Sequence, residues 1–288
     1  MGFKCGIVGL PNVGKSTLFN ALTASKNAEA ANFPFCTIDP NIGIVDVVDK
    51  RLDKLTQLSN SKKKIYTNIT FVDIAGLVKG ASKGEGLGNK FLSHIREVDA
   101  IIHLVRCFDS DKITHVNSNI NPVEDLETIK TEIILSDLDI VQKKLEKGKK
   151  KLLQEKEIKI LEEKLDQLND GNEIITNDEF ERKFLTSLGL LSIKPKIIVC
   201  NVDEESLVKG NNFTESIKKK YAKEKIITIC ADIEDQIMGL DNSERETFMK
   251  EIGLNKTGLN QLIKEGYDLL NLDTFFTSGP EESRAWTV

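Results

Sequence analysis

The residue pattern with the clearest chemistry lies near the N-terminus, where Gly9-Leu10-Pro11-Asn12-Val13-Gly14-Lys15-Ser16 fits the phosphate-binding pattern Gly-x-x-x-x-Gly-Lys-Ser. Glycines let the main chain approach phosphate oxygens, and a following helix points its free N–H groups and positive dipole end at the anion. Lys15 is expected to reach the β- and γ-phosphates, and the Ser16 hydroxyl to bind Mg²⁺. A β-type run, Phe3 to Val8, precedes the motif and a helical run, Thr17 to Thr23, follows it, as the motif requires. The nucleotide-binding residues predicted here are Asn12, Val13, Gly14, Lys15, Ser16 and Thr17.

A second set of candidates would complete a magnesium and γ-phosphate site. The apolar run from Ile69 ends in Asp73-Ile74-Ala75-Gly76, so a strand would deliver the Asp73 carboxylate to the metal. Gly76 would offer its N–H to the γ-phosphate. Thr37, in the proline-containing loop 31–40, is the candidate for a second metal-binding hydroxyl. The predicted metal ligands are therefore Ser16, Thr37 and Asp73, with Lys15 and Gly76 acting on the phosphate.

The residues after this motif bear on turnover. Many GTPases carry a glutamine at the position of Leu77 to orient the attacking water. Leucine offers neither a donor nor an acceptor, so water must be positioned by another residue, or catalysis is weak or absent. The glycine-rich segment 80–88 is expected to order around a γ-phosphate.

A third motif in the second half of the chain concerns the base. The strand-like run 196–200 ends in Asn201-Val202-Asp203-Glu204, where GTPases have Asn-Lys-x-Asp. Because Glu204 is longer than aspartate, it does not sit at the same distance from a guanine without rearrangement, so guanine specificity is in doubt. A further strand, 226–230, leads through Cys230 into Ala231, where a base-contacting loop is expected.

Bulk composition restricts the class of protein. The 288 residues carry a formal net charge of −5 and 30% charged side chains, so the chain as a whole is not a polyanion binder. We expect no membrane segment, no direct DNA binding and a cytoplasmic location, since the sequence has no spanning apolar run and no signal-peptide pattern. The five cysteines, which have no metal-ligand spacing, are expected to be reduced and mostly buried: Cys5, Cys36, Cys107, Cys200 and Cys230.

The predicted elements alternate between strands and helices, which favours an α/β, doubly wound and mostly parallel sheet. Residues 1–122 and 195–272 form its two parts. Between them, residues 123–194 carry a narrow apolar seam with lysines and glutamates on the remaining positions, which predicts an inserted helical coiled coil folded as a hairpin. Residues 273–288 are strand-like and start a separate unit.

Four stretches, residues 9–16, 32–40, 73–89 and 201–204, together resemble the YchF/Obg-like ATPase family along the whole chain. The resemblance implies a P-loop NTPase domain with a helical insertion and a C-terminal TGS domain, of which 273–288 would be the start and most would be missing. It implies ATP hydrolysis in preference to GTP, and association with ribosomes. It also implies that His115 replaces the glutamine, and that Phe108, Val202 and Asn201 surround adenine.

We therefore expect a slow, Mg²⁺-dependent ATPase acting as a ribosome-associated nucleotide switch. Two alternatives stay open. One is an Obg-like GTPase in ribosome assembly, which nucleotide affinities would distinguish. The other is a small-molecule kinase, for which the sequence shows neither an acceptor pocket nor an arginine-rich lid. The residues assigned to the base site are Phe108, Asn201, Val202, Glu204, Cys230 and Ala231.

Overall fold

The structure is a computed structural model, and it describes residues 3–24, 28–29, 41–74, 87–110, 120–148 and 153–288. In these ranges the strands are, in chain order, β1 (Phe3–Val8), β2 (Ala28–Glu29), β3 (Asn41–Val47), β4 (Lys63–Ile65), β5 (Thr67–Asp73), β6 (Ala100–Arg106), β7 (Lys196–Asn201), β8 (Lys225–Ile229), β9 (Thr274–Ser278) and β10 (Glu282–Thr287). The helices are α1 (Lys15–Ala24), α2 (Lys50–Leu58), α3 (Leu87–Arg96), α4 (Pro122–Gly148), α5 (Glu155–Asn169), α6 (Glu179–Ser187), α7 (Glu204–Lys209), α8 (Asn212–Lys220), α9 (Ala231–Gly239), α10 (Asn242–Glu251) and α11 (Gly258–Leu269).

The main sheet has seven strands in the order β2-β3-β5-β1-β6-β7-β8. The five strands from β5 to β8 are parallel, while β3 runs antiparallel to β5 and β2 antiparallel to β3. Every residue of β6 is buried, as expected for a parallel strand that helices cover on both faces. The carboxyl ends of β5, β1, β6 and β7 consequently meet at one edge, where open α/β sheets bind their ligands. The α/β prediction is confirmed.

The helical insertion is a hairpin of α4 and α5, followed by α6. A fully buried ammonium joins α5 to α6: Lys164 contacts Glu181 at 2.6 Å, Glu163 at 2.9 Å and the Ile175 carbonyl at 2.8 Å. The first helix of the hairpin, α4, ends at Gly148, and α5 begins at Glu155.

The first part of α4 packs against the main sheet. Its residues Ile129 and Ile133 pack into the core that contains β1 and β6, whereas Ile134 and the residues beyond it pack with α5 and α6. Asp137 then pins the returning chain to α4, because its carboxylate accepts 2.8 Å hydrogen bonds from the main-chain N–H groups of Leu191 and Ser192. The division at residue 123 remains a prediction.

The C-terminal residues form two strands, as their sequence predicted, and these strands pair with each other and with a partner that was not predicted. β9 and β10 are antiparallel, and β10 also pairs in parallel with β4 to give a three-stranded sheet. The Tyr267 hydroxyl of α11 bonds to Thr274 and Thr287 at 2.8 and 3.0 Å, which fixes the hairpin to the main domain. Among the described helices, none is long and apolar enough to cross a lipid bilayer.

Candidate nucleotide-binding site

The phosphate loop joins the end of β1 to the first residue of α1, in the middle of the sheet. At its start the main chain comes so close to β6 that a Cβ on Gly9 would lie 2.5 Å from the Leu104 carbonyl oxygen. At its end Gly14 has φ +95°, and a Cβ there would collide with the Asn201 amide. Both positions therefore require glycine, for close approach in one case and for a left-handed backbone in the other.

The Asn201 side chain connects this loop to the loop after β8. Its Nδ2 donates to the Val13 carbonyl at 3.0 Å, and its Oδ1 accepts from the Ala231 N–H at 3.0 Å. The side chain is buried, so both bonds form away from water. The asparagine predicted to touch the base thus already joins two of the predicted nucleotide-binding loops, and it retains one N–H and one lone pair for a ligand.

The charges of Lys15 and Asp73 attract each other beside the loop. β1 and β5 pair so that Ile7 lies next to Asp73, which brings the carboxylate to the start of α1. Burial lowers the pKa of Lys15 and raises that of Asp73, and in each case the attraction of the other charge opposes the shift. Opposite charges that are partly removed from water and lie near each other fit a site for a charged ligand.

The carboxylate of Asp73 also passes a simple test for a metal site. The Asn41 side chain hydrogen-bonds to this carboxylate. The Oδ1 atom of Asp73 is nevertheless buried without a hydrogen-bond partner in the part of the chain that the structure describes. A buried oxygen of this kind normally has a partner. Together with the Ser16 hydroxyl at the exposed start of α1, it offers the oxygen donors that Mg²⁺ prefers. No cluster of three acidic, histidine or cysteine ligands occurs in the described ranges.

The remaining base-site candidates lie at the ends of neighbouring strands. Phe108 is half-buried just after β6, and Val202 follows β7, with its N–H bonded to the Ile229 carbonyl at 2.8 Å. Val202 is 2% exposed and packs in an apolar cluster. Cys230 and Ala231 are buried where β8 meets α9, whereas Glu204 is exposed at the start of α7.

Two residues at this site were missed by the sequence analysis. The Arg106 guanidinium lies over the Phe108 ring, and Asn211 Nδ2 donates to the Cys107 carbonyl at 2.7 Å. An arginine at the end of the apolar run 100–107 was the available signal for the first. The sequence carried no signal for Asn211, because an asparagine before a helix is ordinarily explained as a helix cap. Asn211 does also cap α8.

Three predicted site residues lie outside the described residues: Thr37, Gly76 and His115. The same is true of Leu77 and of Cys36. The other four cysteines are free and buried, as predicted.

Comparisons with known proteins agree with this arrangement. The model of the family described as 50S ribosome-binding GTPase matches residues 4–202. The chain is 49% identical over 299 residues to a protein of Escherichia coli O157:H7 named "Ribosome-binding ATPase YchF", covering all of this chain and 81% of the relative. It is 49% identical over 298 residues to the Bacillus subtilis protein of that name, with the same coverage. The solved structure of the Schizosaccharomyces pombe YchF GTPase superimposes with a TM-score of 0.86 at 35% identity, covering 100% of this chain and 80% of that one.

Proposed function

This chain belongs to the YchF family, and from that premise we propose that it is a nucleotide switch that hydrolyses ATP to ADP and phosphate and associates with ribosomes. The observation that carries the proposal is the identity of about one half, over the entire chain, to proteins named ribosome-binding ATPases. The two hydrogen bonds by which Asn201 joins Val13 to Ala231, here called the Asn201 brace, hold the phosphate loop. This loop and the interacting charges of Lys15 and Asp73 supply a matching site. Ribosome binding by the relatives also supports a cytoplasmic location.

In the proposed site, main-chain N–H groups of the phosphate loop and the start of α1 bind the triphosphate, and Lys15 neutralises its charge. Ser16, Asp73 and Thr37 would hold Mg²⁺, which when bound stabilises negative charge on the β- and γ-phosphate oxygens. Asp73 Oδ1, which has no hydrogen-bond partner among the described residues, supports this assignment. Gly76 donates its N–H to the γ-phosphate.

The proposed base preference follows from the two replacements in the third motif. Without the aspartate of Asn-Lys-x-Asp, adenine binding no longer leaves buried acceptors unpaired, a penalty of about 1–3 kcal/mol for each group. Phe108 and Val202 cover the base, and Asn201 contacts its edge with the N–H and lone pair that the brace leaves available. Because stacking tolerates either purine, we expect ATP to bind more tightly than GTP by about tenfold or less.

The test is a competition titration of ATP against GTP. Glu204→Asp, at an exposed position, should shift preference toward GTP, and Val202 is left unchanged because it is 2% exposed within an apolar cluster. Glu205→Asp, the same change on the neighbouring exposed residue of α7, should leave the preference unchanged. If the unaltered protein binds GTP far more tightly than ATP, the adenine proposal is wrong.

That outcome would favour a second function, an Obg-like GTPase in ribosome assembly. Two findings point to it: the matching family model is described as a GTPase, and so is the structurally similar yeast protein. In either case Lys15→Ala should abolish nucleotide-dependent sedimentation with ribosomes, because the buried phosphate loses its charged partner.

The resemblance to the family assigns water activation to His115, and the Leu77 side chain has no polar group that could take this role. An imidazole orients or deprotonates water near neutral pH. His115→Ala should therefore lower turnover while ATP affinity changes little. Equal turnover in the variant and the unaltered protein would remove His115 from the mechanism.

A further inference from the structure

Arg106 is a fully buried arginine that ends β6 and directs its side chain at the loop carrying Phe108. Its guanidinium carbon lies 4.8 Å from the centroid of the Phe108 ring. Its Nε donates to the Phe108 carbonyl at 3.1 Å, and its Nη2 approaches the Ser110 carbonyl at 3.3 Å. One side chain thus contacts both the ring and the main chain of the predicted base-stacking loop.

Burial of the Arg106 guanidinium disfavours its charged form, and two nearby carboxylates reduce this penalty. Burial lowers the pKa of Arg106, and the carboxylates of Asp109 and Asp125 oppose the shift. Arginine keeps its proton in proteins, so the site holds a permanent positive charge. Asp125 is itself buried in the first turn of α4, so the same charge connects the loop to the root of the helical insertion.

The main chain just before Phe108 is fixed by other groups. The Cys107 N–H donates to the Asn201 carbonyl at 2.7 Å, and the Cys107 carbonyl accepts from Asn211 at 2.7 Å. These two hydrogen bonds fix the main chain at Cys107, the residue before Phe108. Beyond this point the contacts of Arg106 take over, since its guanidinium lies over the Phe108 ring and its Nε donates to the Phe108 carbonyl.

We propose that Arg106 is a positioning residue for the nucleotide base: it holds one face of the Phe108 ring so that the opposite face is preformed for stacking. The inference rests on the proposed function, in which Phe108 covers adenine. A cation is attracted to the electron-rich face of an aromatic ring, and fixing the ring beforehand lowers the conformational entropy that binding removes. Drawing π-electron density toward the cation also makes the opposite face less negative, which favours stacking of an electron-rich purine.

The experiment compares two ligands, ATP and inorganic tripolyphosphate, both with Mg²⁺, by calorimetric titration. Tripolyphosphate occupies the phosphate loop and has no base. Phe108→Ala should weaken ATP binding by about five- to 150-fold, the range for loss of one base–aromatic stack. Arg106→Gln should weaken it by about five- to thirtyfold, and both variants should bind tripolyphosphate as the unaltered protein does.

The double variant separates positioning from a general effect on the fold. If Arg106 acts through the ring, Arg106→Gln should add less than about twofold when Phe108 is already alanine. Arg245→Gln is the matched control, since Arg245 also donates its Nε to a main-chain carbonyl, that of Ile237 at 3.2 Å, away from this site. It should leave the affinity for both ligands unchanged.

Three results would overturn the inference: unchanged ATP affinity in Arg106→Gln, equal losses for ATP and tripolyphosphate, or full additivity with Phe108→Ala. Should Arg106→Gln fail to fold, Arg106→Lys serves instead, because its single ammonium keeps the charge and loses the fork. An unaltered ratio of ATP to tripolyphosphate affinity in that variant also refutes the role. If Phe108→Ala itself binds ATP normally, the proposed base contact fails, and with it the role of Arg106.

Discussion

The Asn201 brace gives the sharpest prediction about stability. Truncation in Asn201→Ala removes two buried hydrogen bonds of 3.0 Å, to the Val13 carbonyl and from the Ala231 N–H. Each group left without this partner costs about 1–3 kcal/mol. The two together give about 2–6 kcal/mol, and water entering the vacated space reduces the loss to about 2–4 kcal/mol.

The assay is urea unfolding without nucleotide, followed by titration with ATP and with tripolyphosphate. Because the brace fixes the phosphate loop itself, Asn201→Ala should weaken both ligands, in contrast to Arg106→Gln. Asn201→Asp keeps the acceptor for Ala231 and places an oxygen against the Val13 carbonyl, so it should be no more stable than the alanine variant.

The control is Asn260→Ala, at an exposed position on α11, which should change the free energy of unfolding by less than about 0.5 kcal/mol. An equally small change in Asn201→Ala would refute the reasoning, since it would mean that the buried amide contributes no net stability. Weakened ATP binding with normal tripolyphosphate binding would show that Asn201 acts on the base alone.

Three further predictions concern charge, pH and metal. Lys164→Met should lower the free energy of unfolding by about 3–5 kcal/mol, because it leaves the buried Glu181 carboxylate without its charged partner. The same change at the exposed Lys159 should have little effect. Similar losses in both variants would contradict this prediction. Burial lowers the pKa of His103 to about 3, so below pH 6.5 the unfolded chain binds a proton that the folded protein does not. Between pH 7.5 and 5.5 the unaltered protein should therefore lose about 1.4 kcal/mol more stability than His103→Gln, and parallel pH profiles in urea unfolding would refute it. Ser16→Ala should weaken ATP binding when Mg²⁺ is present and not when it is chelated; an equal loss in both conditions would rule out a metal-binding role for the hydroxyl.

Several parts of the fold followed from local pattern. The strand–loop–helix around Lys15 and the strand that ends at Asp73 are short, contiguous signals, and the structure forms both. The α4–α5 hairpin followed from its apolar seam. The short helices α2 and α7–α10, of six to ten residues each, were not predicted, because helices of this length are marginal on their own and form through tertiary packing.

The sequence alone therefore determined which groups are available to bind a triphosphate, because the phosphate loop is a local backbone motif with fixed spacing. Tertiary structure decided how these groups are held. Asn201 meets Val13 across 188 residues, and β4 pairs with β10 from the opposite end of the chain. Arg106 and Phe108 are close in sequence, but the effect of their contact on the ring depends on burial. A solvated arginine beside a phenylalanine would not fix the ring. Contacts of this kind follow from the order of strands in the sheet and from exclusion of water, and neither is written in the spacing of residues along one segment.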